Sequence, residues 1–365
     1  MRILHIITSL HTGGAEKLVT EIVPRLTALG HEVDVCLFDG KDTAFKRKLS
    51  KCGCKIYSFS DGGNVYNPLH IVRLWRLMRG YAIVHTHNTA PQFFAAIAAK
   101  VLCSVVLVTT EHNTSNRRRD WRWYPRSVDR WMYRQYQHVI CISDQAEENL
   151  RKYIYANEKH DSITTIYNGV DIEAFHSATV NKELRESTDR FVVVMVAGFR
   201  YQKDQDTLIK AMALLPKHRF ELWLVGDGER RNCLESLVKS LELTESVRFL
   251  GLRTDVANIL KAADVVVMSS HFEGLSLSNI EGMAAGKPFV ASDVDGLREV
   301  TDGYGILFPH EDAKALADII KRLDEDKGYY DEVAERCYQR AKEYDLSSTI
   351  AHYNDIYITI KDKHG

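Results

Sequence analysis

A chain of 365 residues is longer than one hydrophobic core normally serves, so its length predicts two domains of ordinary size. Hydrophobic residues make up 45% of it and the formal net charge is -1 at pH 7. These values exclude a disordered chain and a molecule that binds polyanions through its overall charge. The seven cysteines are scattered, and the close pair Cys52 and Cys54 lacks the second pair that a zinc site needs. Cysteine usage therefore favours reduced thiols in a cytoplasmic protein.

The first half of the chain alternates short runs rich in β-branched residues with helix-like stretches. The runs read RILHII, EVDVCLF, KIYSF, AIVHTH, VVLVTTEH and HVICIS, and two of the helix-like stretches cover residues 15–29 and 91–102. The opening run lacks the cleavage site of a signal peptide, so we interpret it as the first strand. No run reaches the roughly 18 apolar residues of a membrane-spanning helix. This alternation predicts a parallel sheet with helices on both faces.

A second series of the same kind follows a polar stretch at residues 177–190. Its runs read FVVVMVAG, FELWLVGDG, VRFLG, VVVMSS and PFVASD. The sequence therefore predicts two doubly wound α/β domains in tandem, with a boundary near the turn signal Asn168-Gly169. In such sheets ligands bind beyond the carboxyl ends of the strands, which directs attention to the loops that lead into helices.

The loop TSLHTGGAEKL leaves the first strand through Gly13 and Gly14 and enters the helix-like stretch at residues 15–29. Glycines there let the backbone approach a ligand closely. The loop does not match the dinucleotide-binding pattern G-x-G-x-x-G. The alternative is a tight turn in which Glu16 only favours the helix dipole.

The stretch HFEGLSLSNIEGMAAGKP, residues 271–288, carries two acids, Glu273 and Glu281, separated by a loop and a helix start. Ser278 and Glu281 fit a capping box, which is a purely structural interpretation of the second acid. Two carboxylates would repel a phosphate, but a carboxylate is an acceptor-only fork that suits the hydroxyl groups of a sugar. The functional interpretation is therefore a pair of hydroxyl contacts on either side of a diphosphate.

Histidines follow two strands of the first half, in HTHN and TEHN. Alternation along a strand sends His85 and His87 to the same face. A metal site with His112 or Glu111 as third ligand is one interpretation, but the sequence does not show that the side chains converge. We expect no metal, and we expect His85 to be a packed strand residue.

Taken together, these segments resemble the retaining glycosyltransferases of the large family-four group. The resemblance covers nearly the whole chain. It depends on GGAEKL, on NGVD followed by Phe175, on FRYQKDQDTLIKA, on LVGDGE and above all on E-x7-E followed by AAGKP. It implies the GT-B architecture, two Rossmann-like domains facing a central cleft. The acceptor-side domain would be residues 1–170, with a C-terminal helix at 345–365 packing back on it, and the donor domain residues 171–344.

The resemblance also implies roles for individual residues. His112 and Glu273 contact the donor sugar near the reaction centre, Glu281 binds the nucleotide ribose, and His87 and Asn88 lie on the acceptor side. The remaining donor-binding residues, around the diphosphate, are Gly13, Gly14, Arg200, Lys203, Ser276 and Leu277. No D-x-D motif stands out, so neither a divalent metal nor another cofactor is expected. The sequence departs from the family in one respect, since Arg200 and Lys203 are spaced Arg-x-x-Lys.

The implied reaction is a transfer from a nucleotide-sugar, with UDP favoured over GDP, that retains the anomeric configuration by departure and attack on one face. The acceptor is suggested by residues 116–134, which hold seven arginines and three of the five tryptophans. Such a segment suits an anionic membrane surface. The expected contacts are Arg117, Arg118, Arg119, Trp121 and Trp123.

Membrane contact would bring a glycan or polyprenyl-diphosphate-linked acceptor to the enzyme, as in bacterial capsule or lipopolysaccharide assembly. The protein would then be cytoplasmic, either free or peripheral on the inner face of the plasma membrane. The alternative for this segment is a solvated helix whose tryptophans, including Trp131, pack inward. Nucleic acid would also suit the charge, but it is not the expected partner. Two other functions stay open, a nucleotide-sugar epimerase of the same fold and a non-catalytic nucleotide-sugar or RNA-binding protein.

Overall fold

The computed structural model describes residues 1–11, 13–100, 105–112, 126–155, 162–273 and 277–364. The chain divides into two compact units, Met1–Asn168 with Ser347–Gly365, and Gly169–Leu346. These boundaries lie two residues from those expected at 170 and 345. Each unit has its own parallel sheet and its own hydrophobic core, and each is described here by itself.

The described part of the first unit forms a seven-stranded parallel sheet in the spatial order β3-β2-β1-β4-β5-β6-β7. Its strands are β1 Arg2–Ile7, β2 Glu32–Leu37, β3 Ile56–Ser58, β4 Ile83–His87, β5 Val106–Glu111, β6 His138–Cys141 and β7 Ile163–Thr165. Most central-strand residues are buried because helices cover the sheet, which explains the near-continuous apolar runs. The first run is a strand, as predicted.

The helices of this unit are α1 Gly14–Ala28, α2 Ala44–Ser50, α3 Leu69–Met78, α4 Thr89–Ala99, α5 Arg126–Tyr133 and α6 Asp144–Leu150. The helix expected at residues 15–29 is α1, shifted by one residue. The C-terminal helix of the chain also packs on this unit. Tyr353 of that helix shares a hydrogen bond of 3.2 Å with Thr110, and Asn354 lies 2.7 Å from a ring nitrogen of His31.

The second unit contains a six-stranded parallel sheet in the order β10-β9-β8-β11-β12-β13 within its described residues. Its strands are β8 Phe191–Val196, β9 Phe220–Val225, β10 Val247–Gly251, β11 Val265–Met268, β12 Phe289–Ser292 and β13 Ile306–Phe308. The largest fully buried side chain, Trp223, lies on β9. The sequence pattern did not predict β7 or β13, which have three residues each.

The helices that follow β7 are α7 Ile172–His176, α8 Lys182–Glu186, α9 Gln205–Ala213, α10 Arg231–Ser240, α11 Val256–Ala262, α12 Leu277–Ala284, α13 Asp295–Thr301, α14 Ala313–Glu325, α15 Lys327–Lys342 and α16 Leu346–His364. The last of these is the helix that packs on the first unit. Across the described ranges, every helix is too short or too polar to cross a bilayer.

Both sheets reverse their strand order at one point, between β1 and β4 in the first unit and between β8 and β11 in the second. In open parallel sheets the loops at such a reversal diverge and leave a crevice where ligands bind. The predicted site residues therefore belong to the loops after these strands and their neighbours.

Candidate active site

A chain of histidines crosses the carboxyl end of the first sheet. His5 on β1 and His87 on β4 join through their Nδ1 and Nε2 atoms at 3.0 Å, and His87 Nδ1 lies 3.0 Å from His112 Nε2. The rings of His85 and His87 stack at 4.4 Å, which confirms that they share one face of the strand. His5 was not anticipated, because its place depends on a parallel register that pairs it with His85 across 80 residues.

Both ring nitrogens of His85 form hydrogen bonds. Its Nε2 contacts Thr110 Oγ1 at 2.8 Å, and its Nδ1 contacts the hydroxyl of Tyr357 on α16. One nitrogen from each of His5, His85 and His87 lies within 4.8 Å of the others. Hydrogen bonds nevertheless engage both nitrogens of His85, so this trio favours a packed network. His85 is a packed strand residue, as expected.

Burial keeps these imidazoles neutral. It lowers the pKa of His5 to about 3 and that of His112 to about 4, and it lowers the pKa of His85 and of His87 well below the usual value. A neutral ring carries one N–H, so the hydrogen bonds link the tautomers of the connected rings. When His112 carries its proton on Nδ1, His87 donates to His112 and His5 donates to His87.

His87 is fully buried, and hydrogen bonds to His5 and His112 use both of its ring nitrogens. These hydrogen bonds let the His87 ring orient His112, and the acceptor-side role expected for His87 remains a prediction. Asn88 is half-buried and has a left-handed backbone with φ of 70°, and its Oδ1 is buried with no hydrogen bond to any described residue. A strained residue with an unsatisfied oxygen is typical of a functional site. The acceptor-side role of Asn88 remains a prediction.

The Gly13-Gly14 loop has open space on one side. A Cβ on Gly14 would meet nothing within 4 Å, whereas one on Gly13 would lie 2.2 Å from a carboxylate oxygen of Glu16. Loss of water around that carboxylate raises the pKa of Glu16. The open side leaves room for a ligand, and the Glu16 contact fits the alternative of a simple turn. The donor role of both glycines remains a prediction.

In the second unit, Lys203 and Glu273 form an ion pair. Lys203 ends the short 3₁₀ turn after β8 and Glu273 follows β11, the two strands that flank the strand-order reversal. The side chains are only 17% and 7% exposed, so water screens their attraction weakly. Ser270 donates a hydrogen bond of 2.9 Å to Glu273. An acid and a cation with separate expected roles are thus in direct contact.

Glu281 is 5% exposed and lies in the second turn of α12. Gly282 lets this helix approach the sheet, since a Cβ there would lie 2.9 Å from side-chain atoms of both Val266 and Phe289. Ser278 lies inside the helix and is not its N-cap, so a capping box with Glu281 is wrong. Leu277 begins the helix, whereas Ser276 lies outside the described residues.

Two more polar side chains near these loops differ in burial. Asn279 is fully buried, and neither polar atom of its amide has a hydrogen-bond partner in the part of the chain that the structure describes. Nothing in its spacing predicted this. Arg200 is exposed and forms no ion pair with any described residue, so its phosphate contact remains a prediction.

Part of the basic aromatic segment is described. In α5, Met132 and Tyr133 face the core, Trp131 packs beside it half-buried, and Arg126 and Arg130 are exposed. This supports inward packing for Trp131. The expected membrane contacts lie outside the described residues, namely Arg117, Arg118, Arg119, Trp121 and Trp123.

Two family models match the sequence. Residues 12–174 match Glycosyltransferase Family 4, and residues 177–344 match Glycosyl transferases group 1. The chain belongs to the family-four glycosyltransferases. The resemblance and the GT-B fold class expected from the sequence are both confirmed.

Known relatives of this glycosyltransferase include two bacterial enzymes. It is 28% identical to the UDP-Gal:alpha-D-GlcNAc-diphosphoundecaprenol alpha-1,3-galactosyltransferase of Escherichia coli over 70% of each chain. It is 26% identical to N-acetyl-alpha-D-glucosaminyl L-malate synthase of Bacillus anthracis over 97% of this chain and 96% of that one. Among solved structures, Anabaena Alr3699/HepE in complex with UDP-glucose superposes with a TM-score of 0.82 at 24% identity, covering 98% of this chain and all of that one.

Proposed function

We infer that this glycosyltransferase moves a hexosyl or N-acetylhexosaminyl group from a nucleotide-sugar, with UDP favoured, to an acceptor hydroxyl, with retention of configuration and without a divalent metal. The acceptor is proposed to be a lipid-linked glycan of bacterial surface polysaccharide. The Escherichia coli relative, whose name includes both a UDP-sugar and a diphosphoundecaprenol acceptor, supports this substrate pair.

The observation that carries the donor assignment is the contact between Lys203 and Glu273 where the strand order reverses. A single nucleotide-sugar can contact a cation through its phosphate and a carboxylate through its sugar hydroxyls only if the two side chains lie close together. Glu281, buried on the helix that follows Glu273, supplies a second acceptor of hydrogen bonds for the ribose. Arg200 and backbone N–H groups near Ser276, Leu277 and the Gly13-Gly14 loop complete the proposed donor contacts.

The proposed reaction breaks the bond between the anomeric carbon and the diphosphate oxygen. The acceptor oxygen attacks on the same face, and its proton passes to the departing phosphate. Lys203 stabilises the negative charge that develops on the leaving group. Glu273 and, by family resemblance, His112 orient the sugar. A neutral His112 suits a sugar hydroxyl, which carries no charge.

Titration calorimetry of UDP, GDP and their sugar conjugates tests the donor assignment, with a chelator present throughout. We expect saturable binding of one of these nucleotides. Glu281→Ala should weaken that binding on the order of 10- to 100-fold, since hydrogen bonds to a charged group contribute about 1.5–3 kcal/mol. Glu332→Ala, which changes an exposed acid on α15, is the control. Equal binding by wild type and Glu281→Ala would overturn the proposed ribose contact.

Product analysis separates transfer from the other two functions. With a polyprenyl-diphosphate glycan present, we expect a new glycosidic bond whose anomeric configuration matches that of the donor. Conversion of the donor to its epimer in the absence of acceptor would identify an epimerase. Donor binding without any turnover would identify a binding protein.

A further inference from the structure

A cluster of possible metal ligands lies beside the Lys203–Glu273 pair, on residues that the proposed reaction does not use. It consists of Asp204, His271 and His310, and one ligand atom from each lies within 4.8 Å of the others. Asp204 adjoins Lys203 in sequence, and His271 precedes Glu273 by two residues. His310 follows β13.

The two imidazoles already have a spacing close to that of a metal site. His271 Nδ1 and His310 Nε2 are 2.9 Å apart, and bonds of 2.0–2.1 Å to a tetrahedral ion would set two nitrogens about 3.3 Å apart. Asp204 lies nearer the other ring nitrogen, since its Oδ1 is 3.8 Å from His271 Nε2. One ion binds only one nitrogen of His271, so the imidazole must turn for His310 and Asp204 to bind the same ion. Glu311 Oε1, which is 3.4 Å from His271 Nδ1, offers a fourth ligand.

Asp204 supplies an independent observation that points to a ligand. Its side chain is almost fully buried, and its Oδ2 has no hydrogen-bond partner among the described residues. Its Oδ1 accepts a long hydrogen bond of 3.3 Å from the N–H of Thr207, as N-cap of α9, and the Thr207 side chain also forms a hydrogen bond with the carboxylate. An unsatisfied buried carboxylate oxygen is costly unless a cation or a donor meets it.

We propose that Asp204, His271 and His310 bind a zinc-type divalent ion. Two imidazoles and a carboxylate suit Zn²⁺ and its transition-metal neighbours, whereas Mg²⁺ prefers oxygen ligands alone. This ion is additional to the proposed transfer, which uses Lys203 on the diphosphate.

Bound there, the ion fastens the loops that carry the Lys203–Glu273 pair. Those loops already meet through the backbone, where the N–H of His271 donates to the carbonyl of Gln202 at 2.8 Å. Asp204 and His271 would add a metal bridge between the same two loops. The site therefore acts on the geometry of the donor residues without touching the donor.

The test is a Zn²⁺ titration of metal-stripped protein against a chromophoric chelator, repeated with Co²⁺ to observe its ligand-field absorbance. We expect His310→Ala to weaken one Zn²⁺ equivalent by roughly 100-fold or more, because loss of even a residue that merely orients a ligand costs roughly 10- to 100-fold. His310 is exposed, so its removal leaves the core intact. Asp204→Asn, which keeps an N-cap oxygen, should weaken the same equivalent.

His218→Ala is the matched control, because His218 is an exposed histidine of the same unit. It should leave both the number of Zn²⁺ ions and their affinity unchanged. Equal Zn²⁺ binding by wild type and His310→Ala would overturn the proposal and leave a cluster held by hydrogen bonds alone. No nucleotide is present in this titration, so its outcome is independent of whether the donor assignment holds.

Discussion

The candidate residues of the two units lie at equivalent points of their sheets but differ in charge. The first unit presents a chain of imidazoles that stay neutral, with His5 and His87 fully buried and His112 half-buried. The second presents an ion pair, Lys203 with Glu273. A cation such as Lys203 suits a charged group like a phosphate, whereas a neutral imidazole such as that of His112 suits an uncharged hydroxyl group.

Breaking the ion pair between Lys203 and Glu273 should lower the free energy of unfolding more than any other change proposed here. Lys203→Met leaves the carboxylate of Glu273 buried with its cation removed, and breaking a buried pair in this way costs about 3–5 kcal/mol. Because both side chains retain some exposure, we expect about 3 kcal/mol of lost unfolding free energy, measured by urea denaturation. Donor binding should fall with it.

A double-mutant cycle isolates the pair from other effects. Lys203→Met with Glu273→Gln should regain part of the lost stability, because the second change removes the unpaired charge. Lys210→Met, an exposed lysine on α9, should change stability by less than about 0.5 kcal/mol. Strict additivity of the two single changes would show that the contact carries no coupling energy.

The histidine chain should make the stability of the first unit depend on pH. An unfolded histidine has a pKa near 6.5, and burial lowers the folded pKa of His5 to about 3 and that of His112 to about 4. The unfolded state therefore binds more protons below pH 6.5. The stabilising contribution is complete above that pH and is lost as the pH falls towards the folded pKa values.

We expect the unfolding free energy to decrease by up to about 1.4 kcal/mol per pH unit for each such histidine between roughly pH 6 and 4. Urea denaturation at several pH values measures the slope. His5→Leu should reduce the slope of unfolding free energy against pH by the contribution of one titrating group. His352→Gln, which changes an exposed histidine on α16, should leave the slope unchanged. An unchanged slope in His5→Leu would mean that His5 is not neutralised by folding.

The sequence predicts the features that local patterns encode, and it does not predict contacts between residues that are far apart along the chain. The E-x7-E spacing, the glycine loops and the long alternating runs are local patterns. They predicted the fold class, helix α1 and the choice of Glu273 and Glu281 as candidate site residues. The chain of His5 with His87 depends on parallel pairing between distant strands, which no local pattern encodes. The contact of Lys203 with Glu273 and the cluster of Asp204 with His310 likewise arise because loops 70 and about 106 residues apart meet at one sheet edge.

Glycine-to-alanine changes in the two units should differ in their effect on stability, and the change at Gly14 should have the smallest effect. A Cβ on Gly228 would lie 2.5 Å from the carbonyl oxygen of Phe199, so Gly228→Ala must displace the loop after β8 and should cost about 1–3 kcal/mol. A Cβ on Gly14 has open space, and alanine favours a helix over glycine by up to about 1 kcal/mol. Gly14→Ala should therefore leave stability unchanged or raise it by a few tenths of a kcal/mol.

Donor binding then decides what the open space at Gly14 is for. If the backbone of this loop approaches the nucleotide-sugar, the added methyl group occupies that approach, and Gly14→Ala should weaken donor binding while the protein stays at least as stable. If the two glycines only make a turn, stability and binding should both match wild type. Calorimetry on a variant whose urea midpoint has not fallen separates these outcomes, because loss of affinity without loss of stability has no explanation in folding.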